Sequence, residues 1–151
     1  MKIVVIGYGS IGHRHVANLL LISNSQIIIC TKQKIANPSP KRVKIVNSIF
    51  DCLKEKPDVA IITNESSFHV LTAIKFAKAG IDIFIEKPLS NSIKETKKLL
   101  SIIKQEKIIT QMGCQFRFHK CIKEIKNMVL NNKIGKIISV KVECGSFLPD
   151  W

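Results

Sequence analysis

The fold is decided at the N-terminus by the sequence MKIVVIGYGSIG, residues 1–12. Its first half is an apolar strand, its second half is a Gly-x-Gly-x-x-Gly turn, and the helix-like stretch Ile11–Leu21 follows. Here Gly7 permits the tight strand-to-helix turn, Gly9 lets the backbone approach a pyrophosphate, and Gly12 lets the helix pack closely on the strand. Free N–H groups and the positive end of the helix dipole then face the phosphates. The order of strand, glycine turn and helix therefore predicts a dinucleotide-binding site.

Strand and helix patterns alternate along the rest of the chain, which is typical of a Rossmann-type α/β fold, a doubly wound parallel sheet. The predicted strands after the first are Gln26–Cys30, Val43–Val46, Asp58–Thr63, Ile81–Ile85 and Ile108–Met112. The loop Ala36–Pro40 precedes the second of these. The predicted helices run from a cap at Asn47 or Ser48 to about Lys56, from Ser67 to Ala79 with Gly80 as a left-handed cap, and from a capping box at Ser92 and Glu95 to about Lys107.

The last 30 residues follow a different pattern. Lys120–Asn131 is predicted to be a helix, and Gly135–Phe147 is predicted to be a long strand with partial alternation. One strand cannot form a stable sheet by itself. These residues are therefore interpreted as the first helix and strand of an incomplete α+β domain.

Composition excludes several classes of protein. The net charge of +13 is carried almost entirely by scattered lysines, and aromatic residues are few, so a nucleic-acid-binding domain is disfavoured. The five cysteines form no Cys-x-x-Cys pair, which indicates neither a disulfide framework nor a metal site. No apolar run is long enough to cross a membrane. We expect a cytoplasmic protein without nucleic-acid or membrane partners.

The end of the second predicted strand bears on the choice between NAD and NADP. NAD-preferring folds place an acidic residue about 20 residues after the glycines, where it binds the ribose 2′-hydroxyl. Here the strand continues into Thr31 and Lys32 with no acidic residue, and both side chains suit a 2′-phosphate. The sequence therefore favours NADP somewhat over NAD, although Lys34 or Arg42 could supply the same charge.

Four segments carry a further pattern: the glycine turn with His15, Asn64–His69, Glu86-Lys87-Pro88, and Gly113–Phe118 followed by Ile134–Ile137. Together they resemble the glucose-fructose oxidoreductase / inositol dehydrogenase (Gfo/Idh/MocA) family, whose members are NAD(P)-dependent enzymes that act mostly on sugars and polyols. The second segment departs from the family's usual Thr-Pro at its first two residues.

The resemblance implies two domains, residues 1–119 for NAD(P) binding and residues 120–151 as the beginning of a C-terminal substrate and oligomerisation domain. The family's further catalytic residues, an Asp and a His, would then lie beyond Trp151. We expect this chain to bind cofactor, to be inactive alone, and to form a homo-oligomer when full length. Its substrate would be a small sugar-like molecule, whose identity and direction of oxidation the sequence does not specify.

Lys87 is the predicted catalytic residue, because it follows the carboxyl end of a strand, where open α/β sheets bind ligands. Its ammonium could donate to a substrate hydroxyl or a developing alkoxide, and Glu86 could orient it. Pro88 stiffens the turn and could do so through a cis bond. The alternative is an ordinary surface Glu-Lys pair. In the family the matching lysine lies by the nicotinamide and contacts substrate.

The remaining candidates complete the predicted site. Arg14 could reach a phosphate, and His15 is either a helix surface residue or lies near the phosphate turn. His69 could cap a helix or line the cofactor groove, and Arg117 could bind a substrate anion or brace the domain junction. The predicted cofactor contacts are Gly7, Tyr8, Gly9, Ser10, Ile11, Gly12, Thr31, Lys32, Asn64, His69, Glu86 and Lys87, and the predicted substrate contacts are Lys87 and Arg117.

Two functions remain open from the sequence. The first is the nucleotide-binding part of an oxidoreductase that transfers a hydride between nicotinamide and a sugar, polyol or related carbinol. The second is a non-catalytic NAD(P)-binding module, such as a redox-sensing regulator. The retained Glu86-Lys87-Pro88 segment favours the first.

Overall fold

The computed structural model describes residues 1–35 and 40–145, which form two compact units, Met1–Cys114 and a second unit that starts at Gln115. The first unit contains six strands: β1 (Lys2–Ile6), β2 (Gln26–Cys30), β3 (Val43–Val46), β4 (Val59–Ile62), β5 (Asp82–Ile85) and β6 (Thr110–Met112). They form one parallel sheet with the order β3-β2-β1-β4-β5-β6. This order is that of a doubly wound dinucleotide-binding fold.

Four helices cover the two faces of this sheet: α1 (Ser10–Ile22), α2 (Ile49–Lys54), α3 (His69–Ala77) and α4 (Thr96–Glu106). Alternate residues of a strand point to opposite faces, so Ile3 and Val5 of β1 pack with Val16 of α1, while Val4 and Ile6 face the other side. That other side is covered by α2, α3 and α4, and its largest fully buried side chain is Phe76.

Two predicted helix boundaries are confirmed. The hydroxyl of Ser48 accepts a hydrogen bond from the Asp51 backbone N–H at 3.1 Å, so Ser48, not Asn47, caps α2. Gly80 lies in the left-handed region at a φ of 69°, where glycine carries no steric cost.

The predicted capping box at Ser92 and Glu95 is wrong. The hydroxyl of Ser92 accepts from the backbone N–H of Lys94, which closes a local turn and leaves no hydroxyl for a helix cap. The helix α4 begins at Thr96, and its N-cap residue Glu95 has a φ of 65° with no capping side-chain hydrogen bond. Short polar side chains often satisfy the nearest backbone group instead of a cap.

The second unit contains a short 3-10 helix, Gln115–Phe118, and the helix α5, Lys120–Leu130. The predicted strand Gly135–Phe147 is not formed over residues 135–145, and its last two residues lie outside the described range, as does most of the predicted loop at residues 36–40. A strand needs a hydrogen-bonding partner, and the described part of this unit contains no other strand. Within the described residues, no helix is long and apolar enough to cross a membrane.

Candidate dinucleotide site

The phosphate turn, Gly7–Gly12, is held by backbone contacts. Gly7 has a φ of 92°, and its N–H donates to the Cys30 carbonyl at 3.1 Å. A Cβ on Gly7 would lie 2.7 Å from the Asn64 backbone, and one on Gly12 would overlap the carbonyl oxygen of Gly7. In contrast, a Cβ on Gly9 would meet no protein atom within 4 Å. Gly7 and Gly12 are therefore required by the fold, whereas Gly9 leaves open space at the start of α1.

A cleft of about 720 Å³ opens beside this turn, at the carboxyl ends of β1 to β4. It lies where the strand order reverses between β1 and β4, which is the usual ligand position in an open α/β sheet. Six of the predicted cofactor contacts line it: Gly7, Tyr8, Gly9, Thr31, Lys32 and Asn64. Sequence reasoning missed the other lining residues: Ile6, Cys30, Gln33, Asn47, Ser48, Ile49, Thr63 and Glu65.

The remaining predicted cofactor contacts lie outside the lining of this cleft. Ser10, Ile11 and Gly12 form the first turn of α1, directly after the lining residue Gly9. Glu86 and Lys87 follow β5, and His69 begins α3. Asn47 directly follows β3, and Thr63 directly follows β4. These positions could have suggested both residues, because the carboxyl ends of parallel strands lie at one edge of the sheet.

Asn64 presents an unsatisfied hydrogen-bond acceptor in the wall of the cleft. Its amide nitrogen donates to the Thr72 hydroxyl at 3.1 Å, while its Oδ1 atom is buried and has no partner among the described residues. A buried acceptor without a donor is unfavourable by about 1–3 kcal/mol. The hydroxyl and amide donors of a dinucleotide could satisfy it, so the residues present fit such a ligand.

The end of the cleft beyond β2 carries a basic side chain. Thr31 is buried, and its hydroxyl accepts from the Gln33 N–H at 3.1 Å, which turns the chain and leaves Lys32 exposed at the cleft. Arg42 is occupied elsewhere, because its guanidinium donates to the carbonyls of Leu20 and Ser23. Of the two alternatives to Lys32 considered from the sequence, Lys34 is the one with an uncommitted side chain in the described structure.

Two thiols meet at the floor of this part of the cleft. Cys30 lines the cleft, and Cys52 on α2 is fully buried behind it. A hydrogen bond from the Cys52 thiol lowers the pKa of Cys30, and the same hydrogen bond, followed by burial, raises the pKa of Cys52. The pair remains two free thiols in the structure.

The segment Glu86–Pro88 is held by side chains. The Glu86 Oε1 atom lies 2.8 Å from Nε2 of His15 on α1, and its Oε2 atom accepts from the Lys87 N–H at 3.1 Å. Gly113 makes room for this carboxylate, since a Cβ there would lie 2.9 Å from it. The Lys87–Pro88 bond is cis, and the exposed Lys87 ammonium makes no hydrogen bond or ion pair within the described chain. His15 therefore lies against Glu86, a contact that the sequence did not predict.

His69 occupies the other side of this segment. It is 2% exposed, and its Nδ1 and Nε2 atoms each lie 2.8 Å from a carbonyl oxygen, of Pro88 and Asn64 respectively. Each ring nitrogen therefore faces a carbonyl oxygen inside the protein, and in the neutral imidazole only the nitrogen that carries the hydrogen donates. The structure places His69 behind the cleft wall and not on its surface.

Two further candidates lie elsewhere. Arg14 is exposed on α1, and Arg117 belongs to the 3-10 helix of the second unit. Their contacts with phosphate and substrate stay predictions. Among residues 1–35 and 40–145, no group of three or more His, Cys, Asp or Glu side chains could hold a metal ion.

Comparison with known proteins agrees with this geometry. The family described as an oxidoreductase family with an NAD-binding Rossmann fold, Gfo/Idh/MocA, matches residues 1–114. The scyllo-inositol 2-dehydrogenase (NAD(+)) of Bacillus subtilis is 26% identical over 148 residues, covering 93% of this chain and 43% of that protein. The myo-inositol 2-dehydrogenase of Thermotoga maritima is 29% identical over 142 residues, covering 90% and 42%.

A solved structure shows the same fold. The crystal structure of myo-inositol 2-dehydrogenase from Lactobacillus plantarum superposes with a TM-score of 0.83 at 26% identity, covering 91% of this chain and 43% of that one. The chain thus spans about two fifths of the length of these relatives. With the glycine turn, the cleft at the β1/β4 reversal and a family match over residues 1–114, the chain belongs to the Gfo/Idh/MocA oxidoreductase family.

Proposed function

We propose that this chain is the dinucleotide-binding part of an NAD(P)-dependent oxidoreductase that acts on a carbinol of a sugar, a polyol or a related molecule. The observation that carries the proposal is the pairing of two features at one sheet edge. The cleft offers an open glycine and an unsatisfied Asn64 acceptor, and the nearby Lys87 ammonium is free within the described structure. The relatives named as inositol dehydrogenases support the substrate class.

The residues of the chain would divide the work. The N–H groups of the phosphate turn bind the pyrophosphate, and the absence of a Cβ at Gly9 permits its close approach. A bound nicotinamide would supply the hydride acceptor or donor. Lys87 would hold the proton at the substrate oxygen through its Nζ atom, and its positive charge would stabilise a developing alkoxide. Glu86 does not orient the Lys87 ammonium as the sequence suggested, because its carboxylate is held by His15 and by the Lys87 backbone N–H.

We further propose a preference for NADP over NAD. Lys32 is exposed at the cleft, and no acidic residue follows β2 to bind a ribose 2′-hydroxyl. A charge-assisted contact with a 2′-phosphate contributes about 1.5–3 kcal/mol. The name of the Bacillus subtilis relative specifies NAD(+), so the preference of this chain would differ from that protein's.

The other parts of the proposal concern the protein as a whole. These parts are a domain boundary between residues 119 and 120, a C-terminal substrate and oligomerisation domain, and a homo-oligomer when full length. They also include a substrate contact by Arg117, a small-molecule substrate in the cytoplasm, and no nucleic-acid or membrane partner. The alternative is an NAD(P)-binding regulatory module without catalysis.

The test is an activity assay on the product of the complete reading frame, with inositols and sugars as substrates and NAD(P)H absorbance as the signal. Lys87→Ala should lower kcat at least about 100-fold, since general acid–base groups typically contribute 10²–10⁴-fold. The control is Lys97→Ala, which removes an exposed lysine on α4 and should leave kcat unchanged. Tight NAD(P)H binding without turnover on any substrate would favour the regulatory alternative.

A further inference from the structure

His69 is a buried histidine whose two nitrogens both contact main-chain carbonyls. It begins α3, and its ring joins two different parts of the sheet edge. Nε2 lies 2.8 Å from the carbonyl of Asn64, just after β4, and Nδ1 lies 2.8 Å from the carbonyl of Pro88, after β5. At 2% exposure, the ring has no free nitrogen and little free surface for a ligand. Its contacts therefore serve the protein, and the question is which part they serve.

The residue between these contacts is Lys87. On its N-terminal side, the Glu86 carboxylate is held by His15 and accepts the Lys87 N–H. On its C-terminal side, the Pro88 carbonyl is held by His69. The Lys87 side chain itself is exposed and has no hydrogen bond or ion pair in the described structure. The main chain that carries the Lys87 side chain is thus held by a contact on each side.

We propose that His69 is a positioning residue for Lys87, acting through its contact with the Pro88 carbonyl. This inference rests on the proposed catalytic role of Lys87. A misplacement of about 1 Å can lower a reaction rate about 100-fold even when the altered residue lies away from the chemistry. Without the Nδ1 contact, the segment after β5 is held only through the Glu86 carboxylate. The Lys87 ammonium then moves relative to the substrate oxygen. The cleft lining, which excludes His69, keeps its shape.

A matched pair of substitutions separates the two ring contacts. The amide nitrogen of asparagine is as many bonds from Cβ as Nδ1 of histidine, and that of glutamine as many as Nε2. His69→Asn therefore keeps a donor for the Pro88 carbonyl, and His69→Gln keeps one for the Asn64 carbonyl. Both variants remove the ring and lose one contact, so a purely structural role would lower the melting temperature and kcat similarly in the two.

The experiment measures kcat, KM for the dinucleotide and the melting temperature for the product of the complete reading frame. We expect His69→Gln to lower kcat at least about tenfold, and His69→Asn to lower it no more than about threefold. KM for the dinucleotide should stay within about twofold in His69→Gln, because this variant keeps the donor for the carbonyl of Asn64, which lines the cleft. In a Lys87→Ala background, His69→Gln should lower kcat by no more than about twofold, because the two residues act as one unit.

The outcomes separate this inference from the proposed function. Equal kcat values for the two His69 variants would overturn the positioning role. So would an effect of His69→Gln that is as large without Lys87 as with it. If instead Lys87→Ala keeps full kcat, the catalytic role of Lys87 fails and the role of His69 fails with it, whereas the proposed oxidoreductase function fails only if the wild type shows no turnover.

Discussion

The phosphate turn and the segment Glu86–Pro88 both follow strands of one parallel sheet, β1 and β5, yet they are held in different ways. The turn is fixed mainly by close backbone packing, since Gly7 and Gly12 leave no room for a Cβ. One side chain adds to this, because the single hydroxyl hydrogen of Thr63 is shared between the carbonyls of Ile6 and Gly7. The segment is fixed by two histidine side chains from distant helices, His15 on α1 and His69 on α3.

The difference follows from what each segment must present. A pyrophosphate is bound by N–H groups, so the turn must bring bare backbone close to the ligand. A proton donor must present a long flexible side chain, whose placement depends on the main chain beneath it. Backbone packing suffices for the first, whereas the second needs side-chain contacts on both sides of the lysine. Three substitutions test this contrast, and two more, at Lys32 and Lys44, test contacts outside the two segments.

The largest effect is expected for Gly12→Ala. The new Cβ would overlap the Gly7 carbonyl oxygen, which is backbone and cannot rotate away. We expect a loss of about 3 kcal/mol of unfolding free energy, at the upper end for overpacking. Chemical denaturation measures it, and Gly9→Ala is the control, because a Cβ there meets nothing within 4 Å. Equal stability of the two variants would contradict a turn held by backbone packing.

Gly9→Val should show the opposite behaviour, with a stable fold and lost binding. The side chain would fill the open space that the pyrophosphate needs. We expect NAD(P)H affinity to fall at least about 100-fold, equivalent to about 2.7 kcal/mol, with little change in melting temperature. Calorimetric titration checks this. A folded variant with unchanged affinity would show that the dinucleotide does not lie against the turn.

His15→Ala tests the side-chain contact at the other segment. It leaves the Glu86 Oε1 atom without its partner, in a side chain that is 14% exposed. We expect a loss of about 1–2 kcal/mol of unfolding free energy. His15→Gln places an amide nitrogen near the Nε2 position and should recover most of it. If both variants match the wild type, the Glu86 carboxylate does not depend on His15.

Lys32→Ala tests the proposed cofactor preference. Losing one charge-assisted contact to the 2′-phosphate should reduce the ratio of NAD to NADP dissociation constants about tenfold, equivalent to about 1.4 kcal/mol. Fluorescence titration with NADPH and NADH gives the ratio, and Lys34→Ala tests the remaining alternative on the same loop, since a larger loss there would assign the contact to Lys34. Equal binding of both cofactors by the wild type would refute the preference.

A surface ion pair away from both segments should show the smallest effect. The Lys44 ammonium lies 2.6 Å from Glu55 Oε1 and lowers the pKa of Glu55. Because the folded-state pKa is depressed, the pair stabilises the fold above the ordinary pKa of glutamate, and the contribution is lost as pH falls through the folded value.

The melting temperatures of wild type and Lys44→Ala test this. They should differ slightly near about pH 6, and the difference should shrink as pH falls through the depressed folded-state pKa of Glu55. The difference should also shrink at high salt, because the pair is exposed. A difference that persists at low pH would assign the effect of Lys44 to packing instead of charge.

The sheet could be predicted closely from the sequence because its signals are local. Each of the six strands lies within or beside a short apolar run, and the boundaries differ by one or two residues. The predicted strand at residues 135–147 failed over its described part, because alternation supplies one face of a sheet but not a partner strand. The box at Ser92 and Glu95 failed because the Ser92 hydroxyl bonds within its own turn.

The residues of the candidate site also divide into those that the sequence predicted and those that it missed. The glycine turn, Thr31 and Lys32 were found because each follows a predicted strand, and Asn64 was found through the family resemblance. The structure places Gly7–Gly9, Thr31, Lys32 and Asn64 around one cleft. Asn47 and Thr63 follow strands too, but no motif singled them out. His69 was predicted to contact cofactor, and its surroundings in the structure are the two carbonyls behind the cleft.

By itself the sequence determined the parallel sheet, the phosphate turn and the position of Lys87 after a strand, because apolar runs, glycines and a proline act on neighbouring residues. Only the tertiary structure decided the partners of the two histidines. His15 meets Glu86 across 71 positions, and His69 meets Pro88 across 19. The order β1-β4-β5 and the packing of α1 and α3 against this sheet decide which carboxylate or carbonyl each imidazole reaches. The reason is that a hydrogen bond acts over about 3 Å in space, whatever the separation of its partners along the sequence.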